Sequence, residues 1–163
     1  LPGPARFRWW LPGLVSGQAR RRPRIISTVN DAADAEDAES VLDDVVGPFY
    51  DAEGVVRYLA LCEGELAERI ATNGVIWAAL ANGTPVFPAW QFDDDERVRS
   101  GLLRVWQTLR RGADPWTAAL WMCVPAPDLG GLTAAGYLAE DASDVRLEYV
   151  TMLADLDSER WLQ

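Results

Sequence analysis

This chain has no histidine and no lysine, so all 15 of its basic side chains are arginines. Without histidine the commonest general base is missing, and Ser-His and Cys-His dyads are excluded. No G-x-x-x-x-G-K-S loop occurs, and no G-x-G-x-x-G follows a strand, so the common nucleotide cradles are absent. Cysteine is scarce. Cys62 and Cys123 stand far apart, with neither metal-ligand spacing nor a disulfide framework. Both lie among apolar neighbours, as small buried thiols do. A reducing, cytoplasmic setting is the expectation. No run of 18 or more apolar residues is present, so no membrane-spanning helix and no membrane partner is expected. Trp9, Trp10, Leu11 and Leu14 are interrupted by proline and glycine and followed by ARRRPR, a poor pattern for a secretory leader. Four consecutive carboxylates, Asp93 to Glu96, cannot all converge on one ion from a helix or strand. They read as a solvated link that places negative charge before the next helix. The expectation is a protein that is not an enzyme, with no cofactor and no metal.

What the chain does have is a core and an acidic surface. Its 163 residues are 49% hydrophobic, enough for one domain or two very small ones. The formal charge is −10, but residues 1–30 carry six arginines and no acid, which leaves −16 for the remainder. An acidic body argues against general phosphate binding and suits a basic partner. The first segment, rich in proline, glycine and arginine, reads as a basic flexible arm. Its Arg20, Arg21, Arg22 and Arg24 are candidates for contact with DNA.

Residues 31–92 read as a helix-turn-helix-like region with a β-hairpin. Ala38, Val41, Leu42 and Val45 fall on one helical face, and Gly47-Pro48 stops that helix. Asp51 is a candidate N-cap for a second helix with Val55, Val56 and Leu59 inward. A third carries Leu66 and Ile70 and ends at Asn73-Gly74. VIWAAL and PVF then read as strands joined by Ala81-Asn82-Gly83-Thr84. Two helices and a hairpin in this order resemble the winged helix-turn-helix of excisionase- and MerR-like regulators. The second helix of the pair presents Glu63, Glu65 and Glu68 and only Arg69 as a base. That is a poor surface for phosphates and base edges, so the unit reads as degenerate.

Residues 93–163 read as helical. A helix over about 98–111 would bury Val98, Leu102, Val105, Trp106 and Leu109, with Arg110 and Arg111 at its C-terminal dipole and Gly112 beyond. Asp114-Pro115 opens a helix with two tryptophans, Asp as N-cap and Pro at the first position. Trp121 is assigned to the core and Trp116 to a core edge or a partner contact. A final helix over about 143–157 places Val145, Tyr149, Met152, Leu153 and Leu156 on one face. The fold class expected is mainly α: a degenerate winged helix-turn-helix with one small β-hairpin, then a helical domain.

The segment from Asp114 to Leu138 carries the most specific pattern. Pro88, Gln91 and Phe92 fit a "P-A-x-Q-F" lead-in. Asp114-Pro115-Trp116 fits "D-P-W", and Leu120-Trp121 fits "L-W". Pro125, Pro127, Leu129, Gly131 and Thr133 fit a "P-x-P-x-L-G-G-x-T" loop, and Leu138 its following apolar anchor. In order and spacing this resembles the toxin-binding domain of the Xre/MbcA/ParS-type antitoxins. Ala134 departs from the pattern, since that family has proline after the threonine.

The resemblance implies an antitoxin that binds and blocks the active site of a cognate RES-type toxin, an enzyme that consumes NAD, with autoregulation of its operon as an accompanying role. The implied toxin-binding residues are Trp116, Pro125, Pro127, Asp128, Leu129, Gly131 and Thr133, with the carboxylates Glu140, Asp141 and Asp144 standing in for a dinucleotide's phosphates. Operator DNA and further copies of this chain are the other partners considered. The rival readings are a DNA-binding transcriptional regulator and an adaptor for a protein other than a toxin.

Overall fold

The computed structural model describes residues 25–26, 44–140 and 143–163. Within the segment read as an arm, Ile25–Ile26 forms strand β1, and the rest of that segment lies outside the described residues. Ala38, Val41 and Leu42 lie outside them too. Residues 44–46 are helical and stop at Gly47-Pro48, as expected. The inward residue there is Val46, fully buried, while Val45 is exposed. Strand β2, Phe49–Tyr50, follows.

Asp51 caps helix α1, Ala52–Tyr58, its carboxylate accepting from the Gly54 N–H at 2.6 Å. Val55 is buried, and Val56 and Leu59 pack partly buried beside it. Helix α2, Glu65–Ala71, ends as anticipated at Asn73-Gly74. Asn73 adopts φ +53°, the Asn73 N–H donates to the Ile70 carbonyl, and the Gly74 N–H donates to the Arg69 carbonyl. This double closure is how a left-handed residue satisfies the last carbonyls of a helix. Cys62, expected to be buried, is exposed in the turn before α2.

Strands β3, Ala78–Ala79, and β4, Pro85–Pro88, form the hairpin. Its turn is closed by the Gly83 N–H on the Leu80 carbonyl at 2.8 Å. Only Gly83, at φ +83°, enters the left-handed region. The four strands pair antiparallel in the order β1-β2-β4-β3, with Phe49 opposite Pro88 and Ala78 opposite Val86. Strands this short gain most of their stability from what covers them.

The remaining helices are α3, Ser100–Leu109, α4, Pro115–Cys123, α5, Ala134–Glu140, and α6, Asp144–Trp161. The described fold is therefore mainly helical with one small antiparallel sheet. Helix α3 begins later than the apolar spacing suggested. Val98 lies before it, bridged to Phe92, and the acidic run is folded into a tight turn. There Asp93 accepts from the backbone N–H groups of Asp95 and Arg97, both at 3.0 Å, so its charge is spent locally and not on the helix. Leu102, Val105, Trp106 and Leu109 are all buried, as expected.

One core cluster joins Val46, Phe49, Ile76 and Val86 to α3, α4, α5 and α6, drawing on both sides of residue 92. A smaller one packs Tyr50, Val55, Leu66, Phe87 and Phe92 beneath α1 and α2. Helix α6 lies along α3 through the face that carries Val150, Ala154 and Ser158. Of the five apolar residues expected to share one face, Leu153 packs partly buried against the core. Val145, Tyr149, Met152 and Leu156 point outward. The contact is close. A Cβ on Gly112 would run into the carbonyl oxygen of Ser158, so a small residue is needed where the two helices meet there. No helix of the described residues is long and apolar enough to cross a membrane.

Candidate functional site

Helix α4 is started firmly. The Asp114 carboxylate accepts from the backbone N–H of Trp116 at 2.9 Å and of Thr117 at 3.2 Å, and from the Thr117 hydroxyl. The Thr117 side chain foremost, helped by these backbone donors, holds the Asp114 carboxyl below its ordinary range against the opposing effect of burial. The two tryptophans then diverge, as residues five apart on a helix must. Trp116 turns toward the sheet. Its indole N–H donates to the Ala79 carbonyl at 2.7 Å, and its ring meets Phe49 edge-on at 5.9 Å. Trp121 turns toward α6, where its N–H donates to Asp157 at 2.8 Å. Trp116 sits at the core edge, as expected, and clamps helix to sheet, whereas Trp121, expected in the core, is only half-buried and borders open space.

Val124 takes an extended conformation and ends the helix. The loop that follows is built on one residue, Ala126. Its carbonyl accepts from the N–H groups of Leu129 and Gly131, and its own N–H donates to the Leu132 carbonyl at 3.0 Å. Gly130 and Gly131 sit at φ +66° and +82° with nothing near their missing side chains, so backbone conformation is what requires glycine there. Leu129 is buried as the loop's anchor. Thr133 caps α5 by accepting from the Gly136 N–H at 2.9 Å, although the favoured proline at the next position is replaced by the buried Ala134.

Between this loop, the end of α4 and the C-terminal half of α6 runs a groove of about 410 Å³. Pro125, Pro127, Asp128 and Leu129 line it together with Trp121, Val124, Leu153 and Leu156. Asp157 and Arg160 edge it as an ion pair at 2.9 Å. The Tyr149 hydroxyl reaches the Asp128 carbonyl across the loop at 3.4 Å. The site is thus an apolar trough with an aromatic wall and carboxylates at its margin.

Of the residues expected to touch a partner, Gly131 and Thr133 shape the loop without lining the groove, and Trp116 faces away. Asp144 lies at the opposite end of α6, about 14 Å along the helix axis from Leu153. Glu140 pairs with Arg146 at 3.7 Å, away from the trough, and Asp141 lies outside the described residues. Sequence reasoning missed Val124, Leu153, Leu156, Asp157 and Arg160 as groove residues. The spacing of Leu153 and Leu156 places them near one another on the last helix, but spacing alone does not say what that face meets.

The second expected surface is less well equipped. Arg20, Arg21, Arg22 and Arg24 lie outside the described residues. Arg69 is held by Glu65 of its own helix at 3.0 Å. That hydrogen bond first, then the Cys62 backbone N–H, keeps the Glu65 carboxyl below its ordinary range. Glu63 and Glu68 remain exposed beside it. Near the groove, burial pushes the Cys123 thiol up to about 12, so it stays protonated and unreactive at neutral pH.

Comparison with known protein families, curated proteins and solved structures returns no match.

Proposed function

We propose that this protein is an antitoxin of a toxin-antitoxin pair, which acts in the cytoplasm by binding a RES-type NAD-degrading toxin and closing its active site. The observation that carries the reading is the loop from Pro125 to Thr133. Its residues fit the antitoxin pattern in order and spacing, and it stands as an internally hydrogen-bonded, solvent-facing platform beside an apolar groove. Pre-shaping of this kind lowers the ordering cost of association. Trp121, Val124, Pro127 and Leu156 supply apolar anchor surface, and Asp128 supplies charge for a basic cleft. In this reading the protein performs no chemistry of its own. The helix pair α1 and α2 with the β3–β4 hairpin is a degenerate winged helix-turn-helix, and the acids on α2 make it a scaffold more than a reader of DNA.

The test is co-expression with the product of the adjacent gene, scoring growth and cellular NAD. The intact chain is expected to restore both. Asp128→Arg and Val124→Asp, which alter exposed groove positions and leave the core alone, are expected to lose rescue. Trp116→Phe, which keeps an aromatic side chain but loses the bond to Ala79 and some ring volume away from the groove, is expected to retain it. Rescue by the groove variants equal to that of the parent would remove the groove from the mechanism, and a harmless neighbour would remove the antitoxin reading.

A further inference from the structure

The outward face of α6 has a regularity that the groove uses only at Leu156. Val145, Tyr149, Met152 and Leu156 follow one another at steps of four, three and four residues. This is the a/d spacing of a coiled-coil seam over two heptads. Their fractional exposures are 77%, 37%, 48% and 49%, with Tyr149 partly covered by the loop it bonds at Asp128. The seam lies on a helix whose other face is fixed against α3. A partner would therefore meet a helix already formed, without the cost of ordering it.

We infer that this seam pairs with the same seam of a second copy of the chain, with the two α6 helices side by side and parallel. Charge selects the occupant and its direction. In the seam's heptad, Arg146, Leu153 and Arg160 occupy one flank, and Glu148 and Asp155 the other. A parallel pair sets each flank against the opposite flank of its neighbour. Asp155 then meets Arg160 of the other copy, and Glu148 meets Leu153. An antiparallel pair that stacks position 145 on position 156 sets like flank against like, with Glu148 opposite Asp155 and Arg146 beside Leu153. Arg160 and Asp155 already have exposed partners within the chain, Asp157 and Arg111. Such pairs contribute little net attraction, so the direction is set mainly by the repulsion that the antiparallel arrangement incurs.

Area sets the strength. The four seam residues expose roughly 400 Å² per chain, about half of what each side of a standard stable interface buries. With the flanking Arg146, Leu153, Asp155 and Arg160 the contact reaches the low end of the specific range. An interface this small belongs with weak, transient contacts. Because Leu153 and Leu156 belong both to this neighbourhood and to the groove, self-pairing competes with any partner seated there.

The inference does not depend on the antitoxin reading, and its test uses the full chain alone. Sedimentation equilibrium over roughly 1 to 200 µM is expected to show the mass rising from monomer toward dimer. Met152→Glu, at an exposed position, should weaken the dimer at least tenfold while leaving the circular dichroism melt unchanged. Direction is read by oxidative cross-linking in a Cys62→Ser background. Leu156→Cys should link to itself, because residue 156 faces residue 156 in a parallel pair. A mixture of Val145→Cys and Leu156→Cys chains should cross-link poorly between the two variants. A monomer at every concentration overturns the proposal, and so does a dimer untouched by Met152→Glu. Preferential linking of position 145 to position 156 overturns the parallel arrangement.

Discussion

The side chain of Gln91 hydrogen-bonds both backbone polar groups of Ile76: its Oε1 accepts from the Ile76 N–H at 2.8 Å, and its Nε2 donates to the Ile76 carbonyl at 2.7 Å. The second Nε2 proton goes to the Pro88 carbonyl at 3.0 Å. All of this lies in the fully buried interior, where Gln91 acts in place of a neighbouring strand. Gln91→Leu would keep the volume and leave the Ile76 N–H and carbonyl unsatisfied. The expected loss is about 2–4 kcal/mol, since each orphaned buried group costs about 1–3 kcal/mol. Urea unfolding of the variant measures it, and a loss below about 0.5 kcal/mol would show that water replaces the amide.

Two glycines near α3 should respond to alanine with opposite signs. At Gly112 the added Cβ meets the Ser158 carbonyl, with the Ser158 hydroxyl only 2.9 Å away, and the obstacle is backbone. Helices α3 and α6 must separate, at a cost of about 1–3 kcal/mol. At Gly101 the nearest atom is a Leu147 methyl at 3.6 Å, an ordinary contact, and the position is helical. Gly101→Ala should stabilise by about 0.5–1 kcal/mol through helix propensity. Thermal melts of the two variants, moving in opposite directions, are the check.

The cap of α4 has a predicted pH signature. Because the folded-state carboxyl of Asp114 lies below its ordinary 3.8, its stabilisation is fully present above that value. It is lost as pH falls through the lower folded value. Asp114→Ala should destabilise by about 1 kcal/mol at neutral pH. Parent and variant should converge in stability at strongly acid pH. A difference that persists unchanged below pH of about 2 would mean that the carboxylate's charge is not what caps the helix.

The two thiols should separate cleanly in reactivity. Cys62 is exposed, whereas Cys123 is only partly exposed and packs against the core, with its thiol pushed up to about 12. An aromatic disulfide reagent at neutral pH is expected to titrate one equivalent in the native protein and the second only on unfolding. Two equivalents reacting at the same rate would show that the end of α4 opens readily.

Much of the local structure could be read directly from residue types. Asp51 and Asp114 cap the helices they precede, Asn73-Gly74 closes α2, Gly83 turns the hairpin, and the α3 stripe from Leu102 to Leu109 is buried. Each of these depends on contacts a few residues apart, where chemistry and spacing decide the outcome. The candidate site was legible in its loop, because proline and glycine impose backbone shape. It was not legible on α6, whose contribution depends on which face turns inward.

The sequence by itself determined the helix boundaries marked by caps, the hairpin, the proline–glycine loop and the acidic character of the body, since these rest on backbone chemistry and on charge. Tertiary structure alone decided that Trp116 clamps the sheet while Trp121 faces the groove, and that α6 buries Val150, Ala154 and Ser158 instead of its larger apolar face. Helical periodicity specifies that a face exists, but not its neighbour. Here α6 approaches Gly112 so closely at Ser158 that only a small residue fits there, while Met152 and Leu156 are left at the surface.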